Sequence, residues 1–142
     1  MPHHMSLIRT TPLLLALSLA CSGNSTPGQP GPAGLTGINW RLVTLKGSSP
    51  RMSGTGQDLS LALTTVSGAS GYSGCNRFSG AYTMNGDSLR FGPLVTTRMA
   101  CEGSLSLEQQ YLAALGTVNR FQVTTDSLVL FQGATPMAVY KR

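Results

Sequence analysis

The segment "RFSGAYTMNGDSLRF", residues 77–91, decides the fold because it predicts a β-hairpin. Apolar and polar residues alternate on both sides of Asn85–Gly86, which is typical of strands with one buried face. The Asn-Gly pair favours a type I′ turn, in which both central residues have positive φ. We therefore expect the apolar residues of the two arms to face each other across a core, Phe78, Tyr82 and Met84 against Leu89 and Phe91.

Other segments carry the same period of two, which predicts further strands. Strands are predicted at residues 38–45 ("INWRLVTL"), 58–65 ("DLSLALTT") and 136–142 ("PMAVYKR"). A second hairpin is predicted at residues 120–133, with its bend at Thr125–Asp126. The 17 glycines and 8 prolines also favour turn-rich β structure over a helical bundle.

One helix is predicted between the two hairpins, from about Leu107 to Val118. Ser106 and Gln109 have the spacing of a capping box at its start. The apolar residues form a single stripe that is expected to pack on the sheet: Leu107, Tyr111, Leu115 and Val118. The sequence therefore predicts an α+β domain, mostly β, with roughly six to eight antiparallel strands and one helix packed on them.

The beginning of the chain predicts export. Residues 1–20 have the polar start and the apolar run, Leu13–Leu19, of a signal peptide, and this run is shorter than the about 20 residues that span a bilayer. Cys21 follows and resembles the lipidated cysteine of a bacterial lipoprotein, although Ser18 stands where such a signal usually has leucine. We expect a lipid on Cys21 to anchor the protein in a membrane, and the alternative is ordinary cleavage and secretion.

Residues 21–37 are read as the lipidated cysteine and a Gly/Pro-rich tether, and residues 38–142 as the folded domain. Glycine recurs at every third position from Gly28 to Gly37, but a few triplets cannot form a collagen helix, so a flexible spacer is expected. Ser22 after the cysteine resembles the enterobacterial signal for the outer membrane. The predicted location is the cell envelope, on the outer membrane facing the periplasm, with secretion as the alternative.

The distribution of charged residues argues against several functions. The ten Lys and Arg residues are scattered, without the clustered basic stripe of a nucleic-acid-binding protein. Both histidines, His3 and His4, precede the predicted cleavage site, so the mature chain lacks a histidine for a catalytic triad or a zinc site. Asp58 and Glu102 are the acids without an evident turn or helix role. We expect no enzymatic activity, no metal and no cofactor.

Three motifs, "NWRL" at residues 39–42, "GCNRFSGAY" at 74–82 and "TTRMAC" at 96–101, together resemble the META (HslJ-like) domain family over residues 37–141. The resemblance implies a small antiparallel β barrel or half-barrel with one helix. It also implies an exported protein without established enzymatic activity, and some members are linked to envelope stress and aminocoumarin resistance. The long tether and the weak lipidation signal depart from the family but concern only the anchor.

The resemblance also bears on the remaining cysteines, Cys75 and Cys101, which lie in two of its motifs. In an oxidising compartment they are expected to form a structural disulfide. Two buried thiols are the alternative. The best candidates for contact with a ligand or partner are the polar residues beside the cysteines: Asn76, Arg77, Ser79, Thr97 and Arg98. For these residues a structural role is favoured over contact with a ligand.

These observations favour a monomeric envelope lipoprotein with a binding or structural role and an envelope protein as its partner. One alternative is a carrier whose barrel holds an apolar ligand, which needs a cavity of about 300 Å³ or more. Another is a pilot or inhibitor that binds a protein through an exposed apolar patch or an open sheet edge. A filled core would argue against the carrier; its expected members are Trp40, Leu61, Phe78, Tyr82, Phe91 and Leu115.

Overall fold

The computed structural model describes residues 33–50 and 56–142. This part of the chain contains one helix and nine strands, all paired antiparallel, so the predicted α+β, mostly β class is confirmed. In chain order the elements are β1 (Asn39–Leu45), β2 (Ser60–Leu63), β3 (Gly68–Tyr72), β4 (Arg77–Asn85), β5 (Ser88–Phe91), β6 (Val95–Thr96), α1 (Leu105–Thr117), β7 (Arg120–Val123), β8 (Ser127–Gln132) and β9 (Thr135–Lys141).

The strands form one sheet in the order β5-β4-β3-β2-β1-β9-β8-β7, and β6 pairs with the start of β4. The end strands β5 and β7 are not paired along their lengths, so the sheet is not closed into a barrel. Two backbone hydrogen bonds nevertheless link them. The Leu89 amide donates to the Asn119 carbonyl at 3.3 Å, and the Phe121 amide donates to the Asp87 carbonyl at 2.9 Å.

The first hairpin has the predicted pairing but a different turn. Tyr82 pairs with Phe91 and Met84 with Leu89 as expected, whereas Phe78 lies beyond β5 and pairs with Gly71 and Thr96. Asn85 pairs with Ser88, so Gly86 and Asp87 occupy the centre of the turn. Only Gly86 has a positive φ, at 59°, whereas a type I′ turn needs two such residues. The predicted type I′ turn at Asn85–Gly86 is therefore wrong: the turn lies one residue later in the chain and is not of type I′.

The other predicted strands are present as β1, β2, β9 and the β7–β8 hairpin, which bends at Thr125–Asp126 as expected. Strands β3 and β6 were not predicted, because β6 has only two residues and the β3 sequence GASGY lacks large alternating apolar side chains. The small residues of β3 are needed for close packing. A Cβ added to Gly71 would overlap the Ser60 carbonyl oxygen and lie 2.7 Å from ring atoms of Phe78.

Helix α1 begins two residues earlier than predicted. Its N-cap is Ser104, whose side chain makes no capping hydrogen bond, so the proposed Ser106–Gln109 capping box is wrong. The predicted apolar stripe is confirmed, since Tyr111, Leu115 and Val118 are buried and Leu107 packs against the core.

The core lies between α1 and the sheet. Tyr111 meets Phe78 edge to face with 5.9 Å between ring centroids, and its hydroxyl lies 3.0 Å from that of Tyr140. The expected core residues are buried, except that Phe91 is only partly buried. Leu35 is also fully buried and its carbonyl accepts a 3.0 Å hydrogen bond from the Trp40 indole, so the packed chain begins before the expected boundary at 37/38. No helix among the described residues has the length and apolarity needed to cross a membrane.

Candidate functional site

Cys75 and Cys101 form a disulfide that joins the β3–β4 loop to the segment before α1. Their Cα atoms are 5.8 Å apart, within the usual range for a disulfide. The predicted pairing is confirmed, and the alternative of two buried thiols is not what the structure contains. The disulfide therefore brings the second and third sequence motifs together at the start of the helix.

A buried carboxylate, Glu108 of α1, organises the same loop. Its Oε2 atom accepts hydrogen bonds from the Ser73 hydroxyl at 2.6 Å and from the Asn76 amide at 2.8 Å. Its Oε1 atom accepts a third hydrogen bond, from the side-chain Nδ2 of Asn76, at 3.1 Å. We call Ser73, Asn76 and Glu108 the Glu108 cluster. All three residues are buried, so the cluster fastens the helix to the loop from inside the domain.

The cluster keeps the Glu108 carboxylate ionised. Burial is the largest single influence and acts to raise the pKa of Glu108. The hydrogen bonds from Ser73, from the backbone and side chain of Asn76 and from the Cys75 backbone outweigh it, so the pKa lies below its ordinary value of 4.5. Because its carboxylate is buried and used by several hydrogen-bond donors, Glu108 has a structural role.

Asn76 also binds the segment that follows β6. Its Oδ1 atom accepts hydrogen bonds from the Thr97 hydroxyl at 2.9 Å and from the Met99 amide at 2.7 Å. Because the side chain of Asn76 is 3% exposed and both ends of its amide are engaged, it is not placed to contact a ligand. Of the five candidate contact residues, Asn76 therefore has a structural role and holds one of the others, Thr97, in place.

The remaining candidates lie on the surface. We call Arg77, Ser79, Val95, Thr97 and Arg98 the arginine surface. All five residues are exposed, and β4 and β6 hold them together. The Thr97 amide donates to the Arg77 carbonyl at 3.0 Å, and Ser79 pairs with Val95. A surface pocket of about 390 Å³ opens here, and it is lined by Arg77, Phe78, Ser79, Val95, Thr96 and Thr97.

The charges of the arginine surface are unpaired. Within residues 33–50 and 56–142 the ion pairs are Arg41–Asp58 and Lys141–Asp126, at 3.5 and 3.4 Å. Arg98 and Glu102, four residues apart in the sequence, therefore do not form an ion pair. Asp58, which the sequence left unassigned, is the partner of Arg41. Neither Arg77 nor Arg98 has a carboxylate partner in the described chain, so both guanidinium groups face solvent.

The role of Glu108 was not predicted from the sequence. The signal was present, because Glu108 precedes Tyr111 and Leu115 by three and seven residues and so lies beside the apolar stripe. The role of Ser73 had no such signal.

Other predictions fall outside the described residues: the signal peptide at 1–20, the lipidation of Cys21, and the tether up to residue 32. Among the residues that the structure describes, no group of three or more His, Cys, Asp or Glu side chains is placed to hold a metal ion.

The fold and site define a small, mostly β domain: an antiparallel sheet, one packed helix, and a disulfide that joins the β3–β4 loop to the segment before the helix. Residues 33–142 match the META domain, and the chain belongs to the META domain family. A search of the curated proteins finds no significant match.

Solved structures with a similar fold carry no functional name. An NMR structure of a protein from Burkholderia xenovorans has 28% identity and a TM-score of 0.64, covering 95% of this chain and 98% of the other. A crystal structure of a DUF4847 family protein from Bacteroides vulgatus has 12% identity and a TM-score of 0.54, covering 75% of this chain and 93% of the other. The second of these similarities concerns the fold alone.

Proposed function

We propose that this chain is an exported lipoprotein of the bacterial cell envelope whose META domain acts by binding and not by catalysis. Two observations support export. Cys21 follows an apolar leader in the sequence, and the Cys75–Cys101 disulfide suits an oxidising compartment. By the family resemblance, the role lies in tolerance of envelope stress such as heat or antibiotics. The protein acts as a monomer on the outer membrane and binds no nucleic acid.

The single observation that carries the binding role is the arginine surface. It presents two unpaired arginines, of which Arg77 lines a pocket of about 390 Å³, on a backbone held by the Glu108 cluster and the disulfide. Guanidinium groups of this kind suit carboxylate or phosphate groups, which they can bind through two hydrogen bonds. The proposed partner is therefore anionic.

A non-enzymatic role is supported by how the described acids are used. Glu108 is buried as a hydrogen-bond acceptor, and Asp58 and Asp126 face basic partners. The carrier alternative finds less support, because Trp40, Tyr111 and Tyr140 fill the space between helix and sheet. A pilot-type or inhibitor-type role in binding another envelope protein uses the same surface and is one form of the proposal.

We also propose that the sheet bends as a half-barrel around α1. The two backbone hydrogen bonds between β5 and β7 support this, since they bring the ends of the strand order together. Slow hydrogen exchange at the Leu89 and Phe121 amides is the expected result. Rapid exchange at both would count against the half-barrel.

The proposal is tested in the producing cells by mass spectrometry of Cys21 together with photocrosslinking. A crosslinking amino acid replaces exposed Ser79 on the arginine surface or, as the control, exposed Gln122 on β7. We expect a diacylglyceryl group on Cys21 and crosslinked products from position 79 that position 122 does not give. An unmodified Cys21 would refute the lipoprotein, and equal products from both positions would refute binding at this surface.

A further inference from the structure

Large apolar side chains are exposed mainly in one short segment. The described chain exposes five of them, and three lie in the segment that runs from β6 to the first residue of α1: Val95 at 65%, Met99 at 59% and Leu105 at 50%. The other two, Val43 and Val66, lie on β1 and in the β2–β3 turn. Exposed apolar residues are ordinary when scattered, whereas a cluster marks an interaction site.

The same segment lies beside positive charge. Thr97 pairs with the Arg77 backbone, and Arg98 stands between Thr97 and the exposed Met99. Glu102 is the only acid in the segment Val95–Leu105. Apolar side chains next to unpaired arginines are typical of a surface that enters the headgroup region of a membrane, where the apolar groups are buried and the arginines meet phosphates.

The segment has little secondary structure, but hydrogen bonds and the disulfide tie it to the β3–β4 loop. Asn76 binds its Thr97 and Met99, and the disulfide fixes Cys101. Contact with a partner therefore costs little ordering of the backbone. The exposed side chains are presented by internal bonds and do not depend on binding for their placement.

We propose that the face formed by the arginine surface together with Met99 and Leu105 docks on an anionic phospholipid membrane. This inference rests on the proposed function and names its partner. Val95, Met99 and Leu105 enter the interface, and the pocket beside Arg77 receives a lipid phosphate.

A membrane fits this face better than an extended acidic peptide does. Val95 lines the pocket, but Met99 and Leu105 are exposed outside it, so the pocket is not continued by the other apolar side chains into a groove for a peptide. The anchor permits the contact as well. Eleven residues lie between Cys21 and Ala33, and a fully extended chain from one to the other spans roughly 40 Å, so the domain can lie on the membrane that holds its lipid.

The test uses the full chain with Cys21→Ser, which carries no lipid, and with the disulfide intact. Its binding is measured by co-sedimentation with vesicles of phosphatidylcholine alone or of equal parts phosphatidylglycerol and phosphatidylcholine. We expect binding to the anionic vesicles only, weakened by salt. Arg77→Gln and Arg98→Gln should each lower the partition coefficient about fivefold, and Met99→Ser should lower it as well.

Arg90→Gln is the matched control, because Arg90 is exposed on β5 and the substitution changes the net charge equally. Val66→Ser is the control for Met99→Ser. Both controls should leave the partition coefficient within about twofold of the parent, since these residues lie outside the docking face. Unfolding midpoints of all variants are compared, so that loss of folding is recognised.

Three results would overturn the inference: equal binding to both vesicles, equal effects of Arg77→Gln and Arg90→Gln, or no vesicle binding while position 79 crosslinks to a protein. The last result would leave the proposed function in place and replace the lipid by a protein partner. An unmodified Cys21 together with intact vesicle binding would refute the lipoprotein and leave the membrane-docking face in place.

Discussion

Replacement of Glu108 by glutamine tests whether a buried anion holds the helix to the β3–β4 loop. The carboxylate accepts hydrogen bonds at both oxygens, from Ser73 and Asn76 at 2.6 to 3.1 Å. Glutamine has one acceptor oxygen and one NH₂ group. If its oxygen takes the place of Oε2, its NH₂ group faces the Nδ2 donor of Asn76. Asn76 cannot turn its amide without losing its bonds to Thr97 and Met99.

The expected loss follows from these contacts. A hydrogen bond to a charged group contributes about 1.5–3 kcal/mol, and a buried donor left without an acceptor costs about 1–3 kcal/mol. One such bond is lost outright and the others are weakened, so we expect Glu108→Gln to lower the free energy of unfolding by about 2–4 kcal/mol. The measurement is urea unfolding at neutral pH with the disulfide intact, followed by tryptophan fluorescence from Trp40.

Glu102→Gln is the matched control, because it makes the same chemical change at an exposed residue six positions earlier. Its effect should stay within about 0.5 kcal/mol. If Glu108→Gln unfolds at the same urea concentration as Glu102→Gln, the carboxylate does not fasten the helix, and the reasoning from the Glu108 cluster is wrong.

Three further outcomes are expected. Because the pKa of Glu108 is lowered in the folded state, its contribution to stability is complete above the ordinary pKa of 4.5 and is lost as the pH falls through the lower pKa of the folded state. The free energy of unfolding of Glu108→Gln should therefore fall less than that of the parent between neutral pH and this acidic range. Parallel curves of unfolding free energy against pH would contradict this. Reduction of Cys75–Cys101, which lie 26 residues apart, should cost about 3 kcal/mol, as measured by urea unfolding with and without reductant, and an unchanged midpoint would count against a structural disulfide. Gly71→Ala should lower the free energy of unfolding by more than about 2 kcal/mol, because the added Cβ meets the Ser60 carbonyl and the Phe78 ring. Gly116→Ala in α1 has open space and should be neutral or stabilising by up to about 1 kcal/mol. The thermal midpoints of the two variants are compared, and equal midpoints would refute the packing argument.

The strands that could be predicted are those whose own side chains divide into a buried and an exposed face. In β2, Leu61 and Leu63 are buried, whereas Ser60 and Ala62 are only partly buried, which the alternating sequence already indicates. Strand β3 has no such pattern, because Gly71 is required by neighbours that are distant in sequence. The hairpin turn moved by one residue because cross-strand pairing outweighs the local preference of Asn85–Gly86.

The candidate site was predictable in position but not in the division of roles. The motifs placed Asn76, Arg77, Thr97 and Arg98 beside the cysteines, and the structure brings them together. Which of them is buried depends on Glu108, a residue 32 positions from Asn76, and no local pattern reports that distance. A single sequence therefore predicts which residues are neighbours, and only the fold shows which of them is buried against Glu108.

Asn76 is assigned a buried structural role and its neighbour Arg77 an exposed binding role. One comparison of unfolding free energies tests this assignment most directly. Asn76→Ala removes four hydrogen bonds of the Asn76 side chain, to Glu108, to Thr97 and to the amide and carbonyl of Met99. It should cost about 2–4 kcal/mol, while Arg77→Ala should stay within about 0.5 kcal/mol of the parent. Equal losses from the two variants would contradict the assignment of Arg77 to a surface that is free to bind.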